Sequence, residues 1–284
     1  MHHIKIFIDL TRLNKPIGFM LLFWPCAWGL SYGYNFDQNL NTFTYYLILF
    51  FLGSVLMRSA GCIFNDIVDK DFDKKVERTK YRPITSGKIS VNQSLFYVCF
   101  LCGLSFIILI QFNFLTIILG LGSMVLAFSY PFMKRITYWP QLFLGLTFNW
   151  GMVMGFSAIL DQISSQIIIL YIAAIFWTLG YDTIYGAQDI EDDEIIGVKS
   201  TSIKFKGKIK LFVGTCYFIT FILLILFFKG VIGLNLSTIL IIMFLISLFY
   251  QLKIFDKDNP LSCLKAFKIN NLSGFLVFSS IVSI

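Results

Sequence analysis

Between Arg58 and Gly87 the sequence places Asn65, Asp66, Asp69, Asp71 and Asp73 within nine residues, in a chain whose charged fraction is only 14%. If the apolar segment before them continues as a helix, Arg58, Asn65, Asp69 and Asp73, spaced by seven, four and four, project from one face. Carboxylates one turn apart, roughly 6 Å, repel by about 3 kcal/mol at an effective dielectric near ~20. A divalent cation removes that repulsion. Oxygen donors without His or Cys suit Mg2+, which takes one or two carboxylates and completes its octahedron with water and substrate phosphate. The stripe reads as half of a metal and phosphate site. The plainer alternative is a solvated face in which Asp69, Asp71, Asp73 and Glu77 pair with Lys70, Lys74, Lys75 and Arg78. An EF-hand starting at Asp69 is excluded, because Lys74 stands where Gly is required and Lys80 where Glu is required.

A second stripe tips the balance toward chemistry. Asp182, Asp189 and Asp193 are spaced by seven and four, again one helical face, with Tyr185 and Gln188 beside it. Asp182 and Arg58 both fall inside apolar runs, where a charge is expensive unless it faces a polar cavity. Basic side chains stand ready for a phosphate: Arg78 and Arg82 in the loop after the first stripe, and Lys134 and Arg135 after Tyr130. Asn149 is expected to add another polar point facing the cavity.

The elements that must carry these residues are membrane helices. The chain is 57% hydrophobic, with 32 Phe in 284 residues, and its mean hydropathy is +0.77, too apolar for a soluble domain of this size. The expected fold is all-α and polytopic, with about nine transmembrane helices around a central cavity. Spans are placed near 16–34, 43–64, 92–110, 113–130, 139–160, 167–187, 209–228, 231–251 and 269–284. Of the 23 Lys and Arg, 21 fall in alternate connections, which puts the N-terminus and the Asp-rich loop in the cytoplasm. The net charge of +7 is then a matter of topology and lipid headgroups, with no nucleic acid invoked. Two acidic clusters about four spans apart suggest two helical bundles, about 1–135 and 136–284, with the cavity between them. Trp24 and Trp28 read as interfacial anchors, and helices 92–110 and 113–130 as a tight hairpin. The Cys99–Cys102 pair lies in an apolar helix without His nearby and reads as packing. No cleavable leader pattern precedes the first span.

With these residues in place the sequence resembles the UbiA-type intramembrane prenyltransferases, and among them the 4-hydroxybenzoate polyprenyltransferases of ubiquinone synthesis. The family's NDxxDxxxD motif matches Asn65, Asp66, Asp69 and Asp73, and its DxxxD motif matches Asp189 and Asp193. RLNKPIGFMLLFWPCAWGL, ERTKYRPITSGKIS, SYPFMKRITYWPQ and GVKSTSIKFKG match flanking blocks, so the resemblance runs from about 10 to 207. It implies a polyprenyl diphosphate held by two Mg2+ ions, one on Asn65, Asp69 and Asp73 and the other on Asp189 and Asp193. Arg78, Arg82, Lys134 and Arg135 would assist the diphosphate. Arg58 would orient the carboxylate of 4-hydroxybenzoate, Asp182 would help deprotonate the phenol or ring, and Tyr130, Asn149 and Tyr185 would line the substrate site. Asp69 and Asp189 would be required for turnover.

Two departures from the family pattern stand out. Gly186 occupies a position where Ala is common, and the last span is short for a crossing if it starts at Ile269. The same family with a naphthoate, homogentisate or haem acceptor is the nearest alternative. A secondary transporter is a more distant one, and a CDP-alcohol phosphotransferase would need a DGxxAR core that is absent. The expected location is a bacterial inner membrane with the active site toward the cytoplasm.

Overall fold

A computed structural model describes residues 2–76 and 79–284. Local chemistry sets most of the helix ends. A short α1 (His2–Thr11) precedes Pro16, which opens α2 (Ile17–Asp37). Asn39 caps α3 (Leu40–Val68) by accepting from the Thr42 N–H at 3.1 Å. One turn, α4 (Lys70–Asp73), follows. Ser90 and Gln93 form a reciprocal capping box on α5 (Val91–Leu109), and Asn113 caps α6 (Phe114–Ile136). Pro140 begins α7 (Pro140–Leu160), and Ser164 caps α8 (Ser165–Gly186). A 3-10 turn at Ala187–Asp189 leads to α9 (Ile190–Ile196) and then α10 (Thr201–Lys204). The long helices α11 (Ile209–Phe228), α12 (Leu236–Ile254) and α13 (Pro260–Val282) complete the fold. No strand is found among the described residues.

The fold is the all-helical membrane architecture expected. Seven helical segments are long and apolar enough to cross a membrane, and side chains such as Phe96, Phe100, Val125, Phe218 and Phe249 are exposed on outer faces, as hydrocarbon solvent requires. Two further long helices, α2 and α13, miss that apolar criterion among the described residues. α2 carries Trp, Tyr and Asn, and α13 carries Lys265, Lys268, Asn270 and Asn271. The last helix also corrects the expected boundary. It begins at Pro260, capped by Asn259, nine residues before the expected start, because Lys265 and Lys268 are carried on the helix and not on a connection.

These two polar long helices pack against each other and join the first half of the chain to the second. Trp24 Nε1 donates to Asn271 Oδ1 at 2.9 Å, and Trp28 Nε1 to the Gly274 carbonyl at 2.8 Å. Both tryptophans are buried in this seam and are not interfacial anchors. α2 packs more extensively still on α7. α5 and α6 share a short turn, yet α5 packs chiefly on α3 and α6 on α7. The expected hairpin is therefore splayed, with cavity between its arms: Cys102, Ser105 and Leu109 line it from α5, and Gly120 and Met124 from α6.

The α2–α7 contact is a backbone-to-backbone approach of the small-residue kind found in membrane bundles. A Cβ at Gly29 would strike the Met152 carbonyl, and one at Gly155 would strike the Cys26 carbonyl and the Leu30 nitrogen. Neither obstacle is a side chain that can rotate away. Gly29→Val and Gly155→Val are each expected to cost about 3 kcal/mol or more, beyond ordinary overpacking. The measurement is thermal melting and size-exclusion behaviour in detergent, and a variant that melts like the wild type would refute the close approach.

Candidate active site

The first acidic motif sits where α3 ends. Asp69 leaves helical geometry (φ −91°, ψ 2°), but its N–H still donates to the Asn65 carbonyl at 2.9 Å and the Asp73 N–H to the Asp69 carbonyl at 2.8 Å. The four-residue register therefore survives the break. Asp66, Asp69 and Asp73 are 1%, 1% and 7% exposed, so three carboxylates are withdrawn from water within two turns. Such a group is tolerable only with cations beside it.

Those cations come from three other segments. Arg12 Nη2 donates to Asp66 Oδ1 at 2.5 Å. Arg82 Nη1 bridges Asp66 Oδ1 at 3.0 Å and Asp73 Oδ2 at 2.7 Å. Lys134 Nζ meets Asp69 Oδ2 at 2.5 Å, where Asn65 Nδ2 also donates at 2.9 Å. Arg135 lies outside the cavity lining. Its guanidinium donates to the Val68 carbonyl at 2.7 Å, rests 4.8 Å from the Phe72 ring centre and stands 3.5 Å from Asp69 Oδ1. Burial pushes the Asp73 carboxyl above its ordinary range, against the pull of Arg82. The solvated-face alternative holds for Asp71, which is exposed and pairs with Lys74 at 3.0 Å. Arg78 and Glu77 lie outside the described residues.

The second motif follows α8, where the chain tightens into the 3-10 turn Ala187–Asp189 before α9. That segment winds at about three residues per turn, and Asp182, Asp189 and Asp193 nevertheless line the same cavity. The turn is held from behind. Thr183 Oγ1 and Thr201 Oγ1 lie 2.7 Å apart, Ser202 Oγ donates to the Thr183 carbonyl at 2.8 Å, and the Thr201 N–H donates to Gln141 Oε1 at 2.9 Å. Gly186 fits this clasp, because a Cβ there would come within 2.7 Å of Ser202 Oγ.

Both motifs open into one cavity of about 1420 Å3, larger than the roughly 300–1,000 Å3 that suffices for a drug-sized ligand. Asn65, Asp69, Asp73, Arg82, Lys134, Asp189 and Asp193 line its acidic end. Arg58, Tyr130, Asp182 and Tyr185 line it deeper, and Phe50, Leu109 and Phe112 deeper still along α3 and α5. From Asp69 to Phe50 is about 28 Å along a helix rising ~1.5 Å per residue.

The residues fit a hard divalent cation. Asp69 Oδ1 is buried and accepts no hydrogen bond, which leaves a strong acceptor for such an ion. Among the described residues no three His, Cys, Asp or Glu side chains form a ready-made cage. That suits an ion that keeps only one or two carboxylates and takes the rest of its oxygens from substrate phosphate and water.

The family model described as the UbiA prenyltransferase family matches residues 22–272, which include both acidic motifs. The chain belongs to the UbiA prenyltransferase family. This UbiA-family chain is 41% identical over 289 residues to the mitochondrial 4-hydroxybenzoate polyprenyltransferase of Caenorhabditis elegans, covering 99% of the chain and 79% of that relative. It is 41% identical over 282 residues to the 4-hydroxybenzoate octaprenyltransferase of Hahella chejuensis, covering 98% of the chain and 92% of the relative. Among solved structures, the apo UbiA homologue from Aeropyrum pernix K1 matches with a TM-score of 0.77 at 22% identity, over 93% of this chain and 96% of that one. The UbiA homologue from Archaeoglobus fulgidus bound to GPP and Mg2+ matches with a TM-score of 0.71 at 19% identity, over 98% of this chain and 100% of that one. At these identities the structural matches speak for the UbiA fold.

Sequence reasoning missed two residues that line the acidic end of the cavity and misplaced another. Arg12, counted only among the basic residues of the connections, and Asp66, left out of the ligand set, form an ion pair at 2.5 Å at the acidic end. The available signal was the seven-residue spacing of Asp66 and Asp73, which puts both carboxylates on one side of the helix within reach of a shared cation. Asn149 does not line the cavity. It is fully buried between α7 and α8, where Nδ2 donates to the Gly145 carbonyl at 2.7 Å, Thr178 Oγ1 at 2.8 Å and the Ala174 carbonyl at 3.2 Å. Asn149→Leu should therefore lower thermal stability by about 1–3 kcal/mol without weakening ligand binding in the cavity. A fall in activity larger than the loss of folded protein would return Asn149 to the site.

Proposed function

We propose that this chain transfers a polyprenyl group from polyprenyl diphosphate to the ring carbon ortho to the hydroxyl of 4-hydroxybenzoate. The product is 3-polyprenyl-4-hydroxybenzoate, for ubiquinone biosynthesis. The observation that carries the reading is the single cavity that joins both acidic motifs to an apolar chamber holding Arg58 and Asp182. It is supported by relatives at 41% identity that bear the 4-hydroxybenzoate prenyltransferase name.

Diphosphate belongs at the acidic end, with Arg82 and Lys134 facing it and Arg78 and Arg135 adding positive charge around it. Asn65, Asp69 and Asp73 would hold one Mg2+ and Asp189 and Asp193 a second. When bound, these ions offset the negative charge that builds on departing diphosphate. The chamber of Phe50, Leu109, Phe112 and Phe148 takes the prenyl tail and keeps water from the allylic cation. Arg58 receives the carboxylate of the acceptor, with its guanidinium 5.3 Å from the Phe148 ring centre. The acceptor's ring carbon attacks the allylic carbon as the C–O bond to diphosphate breaks, and the displaced ring proton leaves. Asp182 stands within electrostatic range of Arg58 and serves the phenol or ring proton, with Tyr130 and Tyr185 completing the wall. All nine long helices are counted as crossings, the halves 1–135 and 136–284 each supplying one acidic motif. The basic residues of the alternate connections support an acidic end turned toward the cytoplasm of a bacterial inner membrane.

Membranes carrying the chain, given a polyprenyl diphosphate, 4-hydroxybenzoate and Mg2+, are expected to yield the prenylated acid by mass spectrometry and to lose that product with EDTA. Silence with this acceptor and with a panel of other aromatic acids would remove the reading. Asp189→Ala is expected to abolish turnover, by at least ~1,000-fold, while the protein inserts and melts normally. Near-normal turnover would overturn the metal assignment.

A further inference from the structure

Several glycines in the helix interfaces of this fold face something rigid. A Cβ at Gly29 or Gly155 would meet backbone, one at Gly180 the Tyr217 ring, and one at Gly274 the Trp24 ring. Gly18 is different. It lies in the first turn of α2, lines the cavity, and a Cβ there would come within 2.9 Å of Arg58 Nε, 3.4 Å of Nη2 and 3.6 Å of Cζ. The obstacle is the far end of a flexible side chain, so a methyl group at this position displaces the guanidinium and leaves the helix packing alone.

What holds that guanidinium is slight. Phe148 lies under it at 5.3 Å, Asp182 lines the same cavity, and no ion pair within 4.0 Å is formed by Arg58 among the described residues. A cation in an apolar cavity without a contacting anion is an incomplete arrangement. A guanidinium recognises a carboxylate through a planar fork whose aim matters as much as its charge. Gly18 and Phe148 between them define the space in which the fork can lie.

We propose that Gly18 is a positioning residue for the aromatic acid: the hydrogen at Cα leaves the room that lets Arg58 aim its fork at the acceptor's carboxylate. The inference rests on the reading of Arg58 as the partner of that carboxylate. It does not involve the diphosphate end, about 16 Å away along α3 at ~1.5 Å per residue.

The test is a kinetic cycle on the purified full chain with Gly18→Ala, Arg58→Ala and the double variant. Each is assayed with 4-hydroxybenzoate and a prenyl diphosphate, and with the neutral 4-hydroxybenzamide as substrate or inhibitor. Gly18→Ala is expected to raise KM for the acid about tenfold or more, the scale of one charge-assisted hydrogen bond. KM for the diphosphate, the affinity for the amide and the melting temperature should stay at wild-type values. Adding Gly18→Ala to Arg58→Ala should raise KM no further, because the glycine acts through the arginine. An unchanged KM for the acid in Gly18→Ala, an equal change for the amide, or a further rise in the double variant would each overturn the proposal. The two readings fail differently. If Arg58→Ala leaves KM for the acid unchanged, the carboxylate assignment falls and takes this inference with it. If Arg58→Ala raises that KM and Gly18→Ala does not, the inference about Gly18 alone is wrong.

Discussion

Asp66, Asp69 and Asp73 cannot be buried together unless their charge is answered, and the architecture of the acidic end follows from how it is answered. Arg12 reaches Asp66 because α1 lays Ile6 and Leu10 against α3. Arg82 reaches Asp66 and Asp73 because Ile84 and Pro83 anchor its loop in buried positions. Lys134 reaches Asp69 from the last turn of α6. Each pair is a desolvated contact of the kind that is costly to break on one side. The N-terminal segment, the 79–88 loop and the end of α6 are thereby made mutually dependent. The groups that settle the carboxylates are the same groups a phosphate would meet, so the site is charge-balanced before any anion arrives.

The cavity separates two kinds of work by depth. Near the acidic end, oxygen donors and cations alternate at hydrogen-bonding distance. Further along α3 the lining changes to Phe, Leu and Met, with Arg58 and Asp182 as its charges and hydroxyls such as those of Ser54, Ser105, Thr147 and Tyr130 between them. A low-dielectric chamber magnifies those few charges. It also gives hydrocarbon a place beside a charged head, which a wholly polar cleft would not.

Much of this was legible in the sequence because membrane helices are long apolar runs and because four-residue spacing survives small helix breaks. The stripe Asn65, Asp69, Asp73 kept its register through the non-helical Asp69, since the backbone bonds on either side of it persist. The backbone tightens into a 3-10 turn at Asp189, and Asp182, Asp189 and Asp193 still line one cavity. Polarity misled in both directions. Asn149 looked like a cavity residue and is a bond between α7 and α8, whereas Arg12 counted only as one of the connection charges and is bonded to the motif. The start of α13 was hidden because its lysines lie on the helix itself. Periodicity reports which residues share a face; it carries no information about which element that face will meet.

The seam between α2 and α13 bears on how the protein is made. Trp24, Trp28 and Asn35 are synthesised early, and each donates a hydrogen bond to a residue about 246 positions later, at Asn271, Gly274 and Ile281. Chains emerge from the ribosome N-terminus first, so the first long helix enters the membrane carrying donors whose acceptors do not yet exist. Through most of translation α2 must keep those groups with water, headgroups or the insertion machinery. The α2–α13 seam therefore closes last, and the newborn protein holds an open, unlatched bundle until α13 arrives.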